Sequence, residues 1–336
     1  MPLKIAVDAM GGDYAPTEVV KGALVVARER PNMELVLVGR EAVISDCLNT
    51  FGDVPATVTI RSANQAIEMG EHPVQATRRK RESSLVVSGL MVKSGEADAT
   101  FSAGSTGAAM AIATLDIGRI SGIERPALAT GIPTIQGRAL LLDAGANVDC
   151  STRNLLQFAL LGAIYAERVT GVVNPKVGLL NIGSEEGKGN DLAKEAHHLL
   201  KSTSLNFFGN VEGKDVFEHA VDVVVCDGFW GNVLIKSGEG MAEMVFDLLH
   251  RAIETEPKIA ASQDAFELIF RRLAQRIHYS EFGGATLLGV NGVSVIGHGR
   301  SDAKAIAGGI RAAADAAAGG YVQAIRDALP AFEGKA

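Results

Sequence analysis

The sequence predicts an α/β fold built on a mostly parallel sheet, and three observations carry that reading. Short apolar runs recur along the chain at Leu3–Asp8, Glu34–Gly39, Thr57–Arg61, Ala97–Ser102, Ala139–Asp143, Lys176–Ile182 and Val221–Cys226, each about the length of a buried strand. Longer segments with helical patterning separate them. This β-α-β-α-β rhythm points to parallel strands joined by right-handed crossovers. Several of the runs also end in a glycine-rich polar turn that opens a helix, which is where an open α/β sheet presents its chemistry.

The first strand ends at Asp8 and enters Ala9-Met10-Gly11-Gly12-Asp13. Pro16 then starts a helix through Arg28, a position that proline tolerates. Asp8, Gly11 and Gly12 are candidate site residues, or simply the makings of a turn. A helix over Glu41–Thr50 follows the second strand. Pro73–Ser84 carries Arg78, Arg79, Lys80 and Arg81, the one basic cluster in an acidic chain. It reads as a solvated helix face or as a contact for an acidic or phosphate-bearing partner. Leu85–Ser94 is predicted helical. In Ser102–Gly107, SAGSTG, the hydroxyls of Ser102, Ser105 and Thr106 suit phosphate oxygens. The strand at Ala139–Asp143 delivers Asp143 and Asn147 into a turn, for catalysis or for capping. Ser151–Arg168 reads as a long amphipathic helix.

The most informative stretch is Lys176–Asp191, KVGLLNIGSEEGKGND. A strand leads into a tight polar loop, and Asn190 or Asp191 caps a helix through Leu200. The loop amides and the helix start can hold an anion, and Lys188 adds a full positive charge. A nucleotide-binding P-loop is unsupported, and a plain strand–loop–helix turn with an exposed lysine is the other reading. The spacing from Gly183 to Gly187 is one residue short, Gly189 stands where a hydroxyl should hold Mg²⁺, and Glu185 and Glu186 would repel a polyphosphate. After the strand at Val221–Cys226, Asp227–Asn232 opens another helix in the same manner.

Met241–Glu256 repeats apolar residues at helical spacing, and Pro257 ends it. A second amphipathic segment carries Phe266, Ile269, Phe270, Leu273 and Ile277 beside Arg271, Arg272 and Arg276. Together they predict a protruding helical hairpin over residues 240–280. It reads as a packing or dimer element, or as a surface that meets anionic lipid through Ile259 and Phe266. Gly283–Gly299 is predicted to form a β-hairpin about Asn291-Gly292. It closes at His298, a substrate contact or a structural histidine. Asp302–Ala318 is an alanine-rich helix, and the residues beyond it read as polar and frayed.

No linker, low-complexity tract or repeat divides the 336 residues, so a single α/β domain over residues 1–330 is expected, with the hairpin protruding from it. A net charge of -7 argues against nucleic-acid binding. The three cysteines lie far apart, which fits a reducing compartment and offers no metal site. There is no signal-peptide pattern and no run of about 20 apolar residues, so a cytoplasmic protein is expected, with membrane contact still open to it. The chain lacks G-x-S-x-G and G-x-G-x-x-G, which leaves serine hydrolysis and dinucleotide binding unsupported. His197 and His198 are adjacent, a poor spacing for one metal. Cys226 reads as a thiol nucleophile or as a small buried hydrophobe. The glycine and hydroxyl turns, Lys188 and Asn232 suit anion binding and oxyanion stabilisation.

Six stretches occur in order: IAVDAMGGDYAP, SAGSTGA, LLDAGAN, NIGSEEGKGN, CDGFWGN and GVNGVSVIGHG. On these the chain resembles, over nearly its whole length, the bacterial acyl-acyl carrier protein:phosphate acyltransferases of phospholipid synthesis, the PlsX family. The resemblance implies a doubly wound three-layer α/β/α fold, similar to phosphotransacetylases and the isocitrate dehydrogenase group. It implies attack of inorganic phosphate on the thioester of a long-chain acyl-acyl carrier protein, with no metal or organic cofactor. The acyl phosphate product would pass to a membrane acyltransferase that acylates glycerol 3-phosphate. A cytoplasmic homodimer, peripherally associated with the inner face of the plasma membrane, is implied as well.

By position Lys188 and Asn232 match the catalytic pair of that family. Asp8, Gly11, Gly12, Ser102, Gly104, Thr106, Asp143, Asn147 and His298 match positions expected to line the pocket. Ser105 stands where the family usually has Asn, Phe282 where Tyr is common and Thr286 where Pro is common; the change at Ser105 bears on one phosphate contact. The cluster at Arg78, Arg79, Lys80 and Arg81 would dock the acidic carrier protein or, in a second reading, the phosphates of coenzyme A. A third reading is a non-catalytic scaffold at the membrane surface.

Overall fold

The computed structural model describes residues 2–255, 268, 272–273 and 283–334. Its first strand shows how the sheet is built. In β1 (Lys4–Asp8), Ile5 and Val7 enter the large core on one face, and Ala6 enters a smaller cluster on the other. β2 (Glu34–Gly39) divides in the same way, with Leu35 and Leu37 on one face and Val36 and Val38 on the opposite one. Successive strand side chains point to opposite faces, so a continuous apolar run means that both faces are covered.

The first half of the chain adds α1 (Thr17–Glu29), α2 (Glu41–Phe51), β3 (Val58–Ser62), α3 (Pro73–Arg79), α4 (Ser84–Ser94), β4 (Ala99–Ser102) and α5 (Thr106–Ile112). A π-helical turn at Ala113–Gly118 extends α5. There follow β5 (Ala127–Thr134), β6 (Gly137–Leu142), α6 (Thr152–Tyr165), β7 (Val177–Leu180), α7 (Asp191–Ser202), β8 (Phe207–Val211), α8 (Gly213–Phe217), β9 (Val223–Val225) and α9 (Gly228–Thr255). The chain closes with β10 (Ala285–Leu288), β11 (Val293–Ile296), α10 (Ala303–Gly319) and α11 (Tyr321–Glu333).

The strands form one sheet in the order β3-β2-β1-β4-β11-β10-β5-β6-β9-β7-β8. Among the described strands, pairing is antiparallel at β11–β10, β10–β5 and β5–β6 and parallel at the remaining pairs. The predicted hairpin around Asn291-Gly292 is thus the centre of the sheet, with Ala285 opposite Ile296. It has a topological consequence. β1, β4 and β11 run one way, while β6, β9 and β7 run the other.

The large core lies on one face and runs past both halves of the sheet, gathering α1, α10, α6, α7 and α11. Smaller clusters fill the other face beneath α4 and α5 and beneath α8 and the first turns of α9. Helix starts follow the capping signals. Ser83, Ser105, Ser151, Asn190 and Asp302 each accept a backbone N–H two or three residues into their helices, and Ser151 with Asn154 completes a capping box. Each such cap contributes about 1 kcal/mol.

Besides the short α8, three elements differ from the sequence reading. β5 contains Gly131 and Pro133, which look like breakers, yet it is the strand where pairing passes from β10 to β6. β8 contains Gly209, with φ 118°, and Asn210, and so reads as a loop although it pairs with β7. The expected frayed C-terminus is instead α11, whose Tyr321, Ile325, Leu329 and Phe332 are buried at helical spacing. Tyr321 lies edge-on to Tyr165, and Glu333 binds Arg153 at 2.7 Å and Gln157 at 2.8 Å, which ties α11 to α6. Its short apolar stripe among charges hid the packing.

α9 begins inside the protein, where Leu234 and Ile235 join the core beside α8. Beyond Gly238 its apolar side chains face outward; Met241 is 58% and Leu248 57% exposed. Ile259 and Phe266 of the expected hairpin lie outside the described residues. Among the described residues no helix is long and apolar enough to cross a membrane.

Candidate active site

β6, β9 and β7 are parallel neighbours, so their carboxyl ends open side by side. β6 leads into Asp143–Asn147, β9 into the start of α9, and β7 into the lysine loop. Asp143, Asn147, Asn232 and Lys188 therefore belong to three adjacent strand ends. Asp8, Gly11, Gly12, Ser102, Gly104, Ser105 and Thr106 follow β1 and β4, which run the opposite way. That second group opens at the other end of the strand direction, because the central antiparallel strands reverse the sheet.

Asp143 is fully buried and saturated with donors. Its Oδ1 accepts from the backbone N–H groups of Leu128 at 3.0 Å, Gly145 at 3.2 Å and Ala146 at 3.0 Å. Its Oδ2 accepts from the Asn147 N–H at 2.6 Å and from Asn147 Nδ2 at 2.8 Å. Burial pushes the carboxyl above its ordinary range, and these hydrogen bonds pull it back. With both oxygens occupied, Asp143 organises the loop. Asn147 passes the order on, since its carbonyl accepts from Gly228 N at 2.8 Å at the start of α9. A Cβ at Gly231 would stand 1.9 Å from the Asp143 carbonyl oxygen, so only glycine lets α9 approach this closely. The next residue is Asn232, exposed at the surface and lying over Gly145, whose φ is 124°.

The lysine loop is built by its backbone. Lys188 N donates to the Glu185 carbonyl at 3.0 Å, closing a tight turn. Asn181 Nδ2 donates to the Lys188 carbonyl at 3.1 Å. Asn190 caps α7, its Oδ1 accepting from Ala193 N at 2.9 Å. The Lys188 side chain is half exposed, with its ammonium 3.8 Å from Glu185 Oε1. At that distance and exposure the pairing is weak, and the cation stays available to an anion. Exposed apolar groups flank these loops: Ile182 on the loop itself, and Phe229, Trp230 and Val233 on either side of Asn232. Asn181 and Gly145 escaped the sequence reading; the only signal was their place at strand ends.

At the other end, Asp8 and Ser102 join β1 to β4. Ser102 Oγ donates to Asp8 Oδ2 at 2.7 Å and accepts from Gly104 N at 3.0 Å. Asp8 Oδ1 accepts from Met10 N at 3.2 Å. Burial drives the Asp8 carboxyl above its ordinary range, against hydrogen bonds from Ser84 and Ser102. Gly11 packs against this pair, Gly12 lies near Ala103 and Gly299, and Ser105 spends its hydroxyl capping α5. Thr106 opens α5 and is exposed; His298 is exposed nearby, accepting from Arg300 N at 3.2 Å.

The basic cluster divides. Arg81 forms a two-pronged pair with Asp116 at 2.8 and 3.0 Å, and Lys80 binds Glu71 and the Ala66 carbonyl. Arg78 and Arg79 are exposed. The cysteine thiols stay protonated near neutrality. Burial and the nearby Asp227 push Cys150 up to about 12, and burial with Asp143 and Asp227 raises Cys226 well above its ordinary value. Cys226 is thus a buried hydrophobe, not a thiolate nucleophile. Among the described residues no three His, Cys, Asp or Glu side chains gather as metal ligands.

The architecture defines a class. The chain superposes on a phosphotransacetylase from Streptococcus pyogenes over 96% of its own length and 94% of the other, with a TM-score of 0.61 at 18% identity. A EutD phosphotransacetylase from Staphylococcus aureus gives 0.59 at 14% identity, covering 94% of each chain. At such identities the likeness is one of fold, and the fold is the mostly parallel α/β sheet expected from the sequence. Sequence similarity goes further. The fatty acid synthesis protein family matches residues 3–324, and a phosphate acyltransferase from Desulfitobacterium hafniense is 50% identical over 331 residues, 98% of each chain. The chain belongs to this family, that of the phosphate acyltransferases, enzymes of acyl transfer.

Proposed function

We propose that the protein transfers a long-chain acyl group from acyl-acyl carrier protein to inorganic phosphate, releasing acyl phosphate and free carrier protein. The observation that carries this reading is the full-length family match, together with the loops of Lys188 and Asn232 on adjacent parallel strand ends. In the proposed step a phosphate oxygen bonds to the thioester carbonyl carbon and a tetrahedral oxyanion forms. The carbonyl re-forms as the C–S bond breaks, and the leaving thiolate takes up the proton that the acylated hydrogen phosphate gives up. Lys188 neutralises the phosphate, and Asn232 donates a hydrogen bond to the developing oxyanion. Asp143 and Asn147 position Asn232. The exposed Ile182, Phe229, Trp230 and Val233 offer apolar surface to an acyl chain.

Asp8, Gly11, Gly12, Ser102, Gly104, Ser105, Thr106 and His298 are assigned to substrate contacts at the opposite strand ends, apart from the phosphate that Lys188 neutralises. The acidic carrier protein docks on Arg78 and Arg79. The outward apolar face of α9 supports a homodimer and peripheral contact with the inner face of the plasma membrane, and the sequence adds Ile259 and Phe266 to that contact. The product passes from there to a membrane glycerol-3-phosphate acyltransferase. The test is acyl phosphate formation, trapped as the hydroxamate, from long-chain acyl carrier protein or acyl-coenzyme A plus phosphate. Wild type should turn over the carrier-protein substrate, and Lys188→Ala should lose about 100-fold or more in kcat with its fold intact. An inactive wild type refutes the reaction; a fully active Lys188→Ala refutes the mechanism.

A further inference from the structure

The Glu185 carbonyl accepts two hydrogen bonds. One comes from Lys188 N within the turn; the other comes from Asn210 Nδ2, 2.8 Å away on β8. Asn210 is buried, and its Oδ1 lies 3.0 Å from Nδ1 of His197, a buried histidine of α7. Because Asn210 commits its amide N–H to Glu185, its oxygen faces the imidazole, and Nδ1 of His197 must carry the donated proton. The ring is held edge-on against Phe207, with centroids 5.2 Å apart, and its Nε2 faces Glu186 Oε1 at 3.8 Å. The Lys188 main chain is therefore gripped from two sides. Asn181 holds its carbonyl, and the chain from His197 through Asn210 to Glu185 holds the turn that carries its N–H.

Burying an amide and an imidazole costs free energy that two apolar residues would not incur. Here the two polar groups satisfy one another and reach out to an otherwise exposed loop. A lysine on a flexible stem acts only as accurately as its main chain is held, and a misplacement of about 1 Å costs about 100-fold in rate. We infer that His197 and Asn210 are positioning residues for Lys188, acting through the Glu185 carbonyl. This inference rests on the acyl-transfer reading for its kinetic consequence, but not for its structural one.

Three substitutions in the full-length protein test it. Asn210→Asp keeps an acceptor for His197 and removes the donor to Glu185. His197→Phe fills the ring's space without a donor. His197→Asn restores an N–H near the place of Nδ1. Each is followed by amide hydrogen exchange at residues 183–190 and by kcat and KM for the acyl substrate. Asn210→Asp and His197→Phe should speed exchange at Lys188 and lower kcat, each by about 10- to 100-fold, with KM within about twofold. His197→Asn should recover most of both. Wild-type exchange and kcat in the first two variants would overturn the inference. So would equal losses in all three with global unfolding, since these mark a purely structural pair. A wild type without turnover would defeat the acyl-transfer reading, while hydrogen exchange would still decide whether the pair anchors Lys188.

Discussion

Ser102 donates its hydroxyl hydrogen to Asp8 across 2.7 Å, and both side chains are buried. This one contact joins the carboxyl ends of β1 and β4. Ser102→Ala leaves a buried carboxylate short of a donor and Gly104 N short of its acceptor. Leaving buried polar groups unsatisfied costs about 1–3 kcal/mol. Urea denaturation should show a loss of that size; a change below about 0.5 kcal/mol would mean that the contact adds nothing.

The same carboxyl predicts a pH dependence. Burial raises Asp8 above its ordinary range, so the folded state holds its proton more tightly than the unfolded chain does. Its contribution to stability is largest below the unfolded carboxylate range and is lost as pH rises through the folded value. Asp8→Asn stays neutral throughout. The stability of wild type minus that of the variant should therefore fall in denaturant titrations as pH rises from the unfolded carboxylate range, about 4. A difference that grows with pH refutes the assignment.

Gly145 combines a φ of 124° with a position 3.4 Å, from its would-be Cβ, to Asn232 Cβ. Gly145→Ala should cost about 1–3 kcal/mol in backbone strain and shift the loop on which Asn232 rests. Steady-state kinetics should show kcat lowered about tenfold or more, as misplacement of a reacting group demands. Undiminished kcat would separate Gly145 from the site.

Cys150, raised to about 12, and Cys226, raised well above its ordinary value by burial, carry almost no thiolate near neutral pH. Iodoacetamide at about pH 7.5 should label both far more slowly than a free thiol, and the treated protein should keep its activity. Rapid inactivation traced by mass spectrometry to either residue would restore a thiol mechanism.

The basic cluster should divide by function. Arg78→Ala with Arg79→Ala should raise KM for the carrier-protein substrate about tenfold and leave stability nearly unchanged. Arg81→Ala should instead remove a partly buried, two-pronged ion pair worth about 1 kcal/mol and leave KM alone. Equal KM effects from Arg81→Ala and from the Arg78, Arg79 pair would refute this division.

Much of the fold was legible because its signals are local. Strand and helix alternate in sequence as they do in space, and Ser105, Ser151, Asn190 and Asp302 mark helix starts by a hydrogen bond that spans three residues. β5, β8 and α11 were not legible. Their glycines, a proline and a thin apolar stripe are tolerated through pairing with β10, β6 and β7 and packing on α6, partners distant in the chain.

The candidate site divides along the same line. By itself the sequence determined the alternating architecture, the family motifs, and the presence of a cationic loop at one strand end and an amide-bearing helix start at another, because each is written within a few consecutive residues. Only the tertiary structure decided that Lys188, Asn232 and Asp143 open on one end of the sheet while Asp8 and Ser102 open on the other. It also decided that Asp143 is an anchor, and that His197 reaches the lysine loop through Asn210. The physical reason is that strand order, strand direction and burial are set by pairing and packing among segments far apart in the chain, and no local pattern records them.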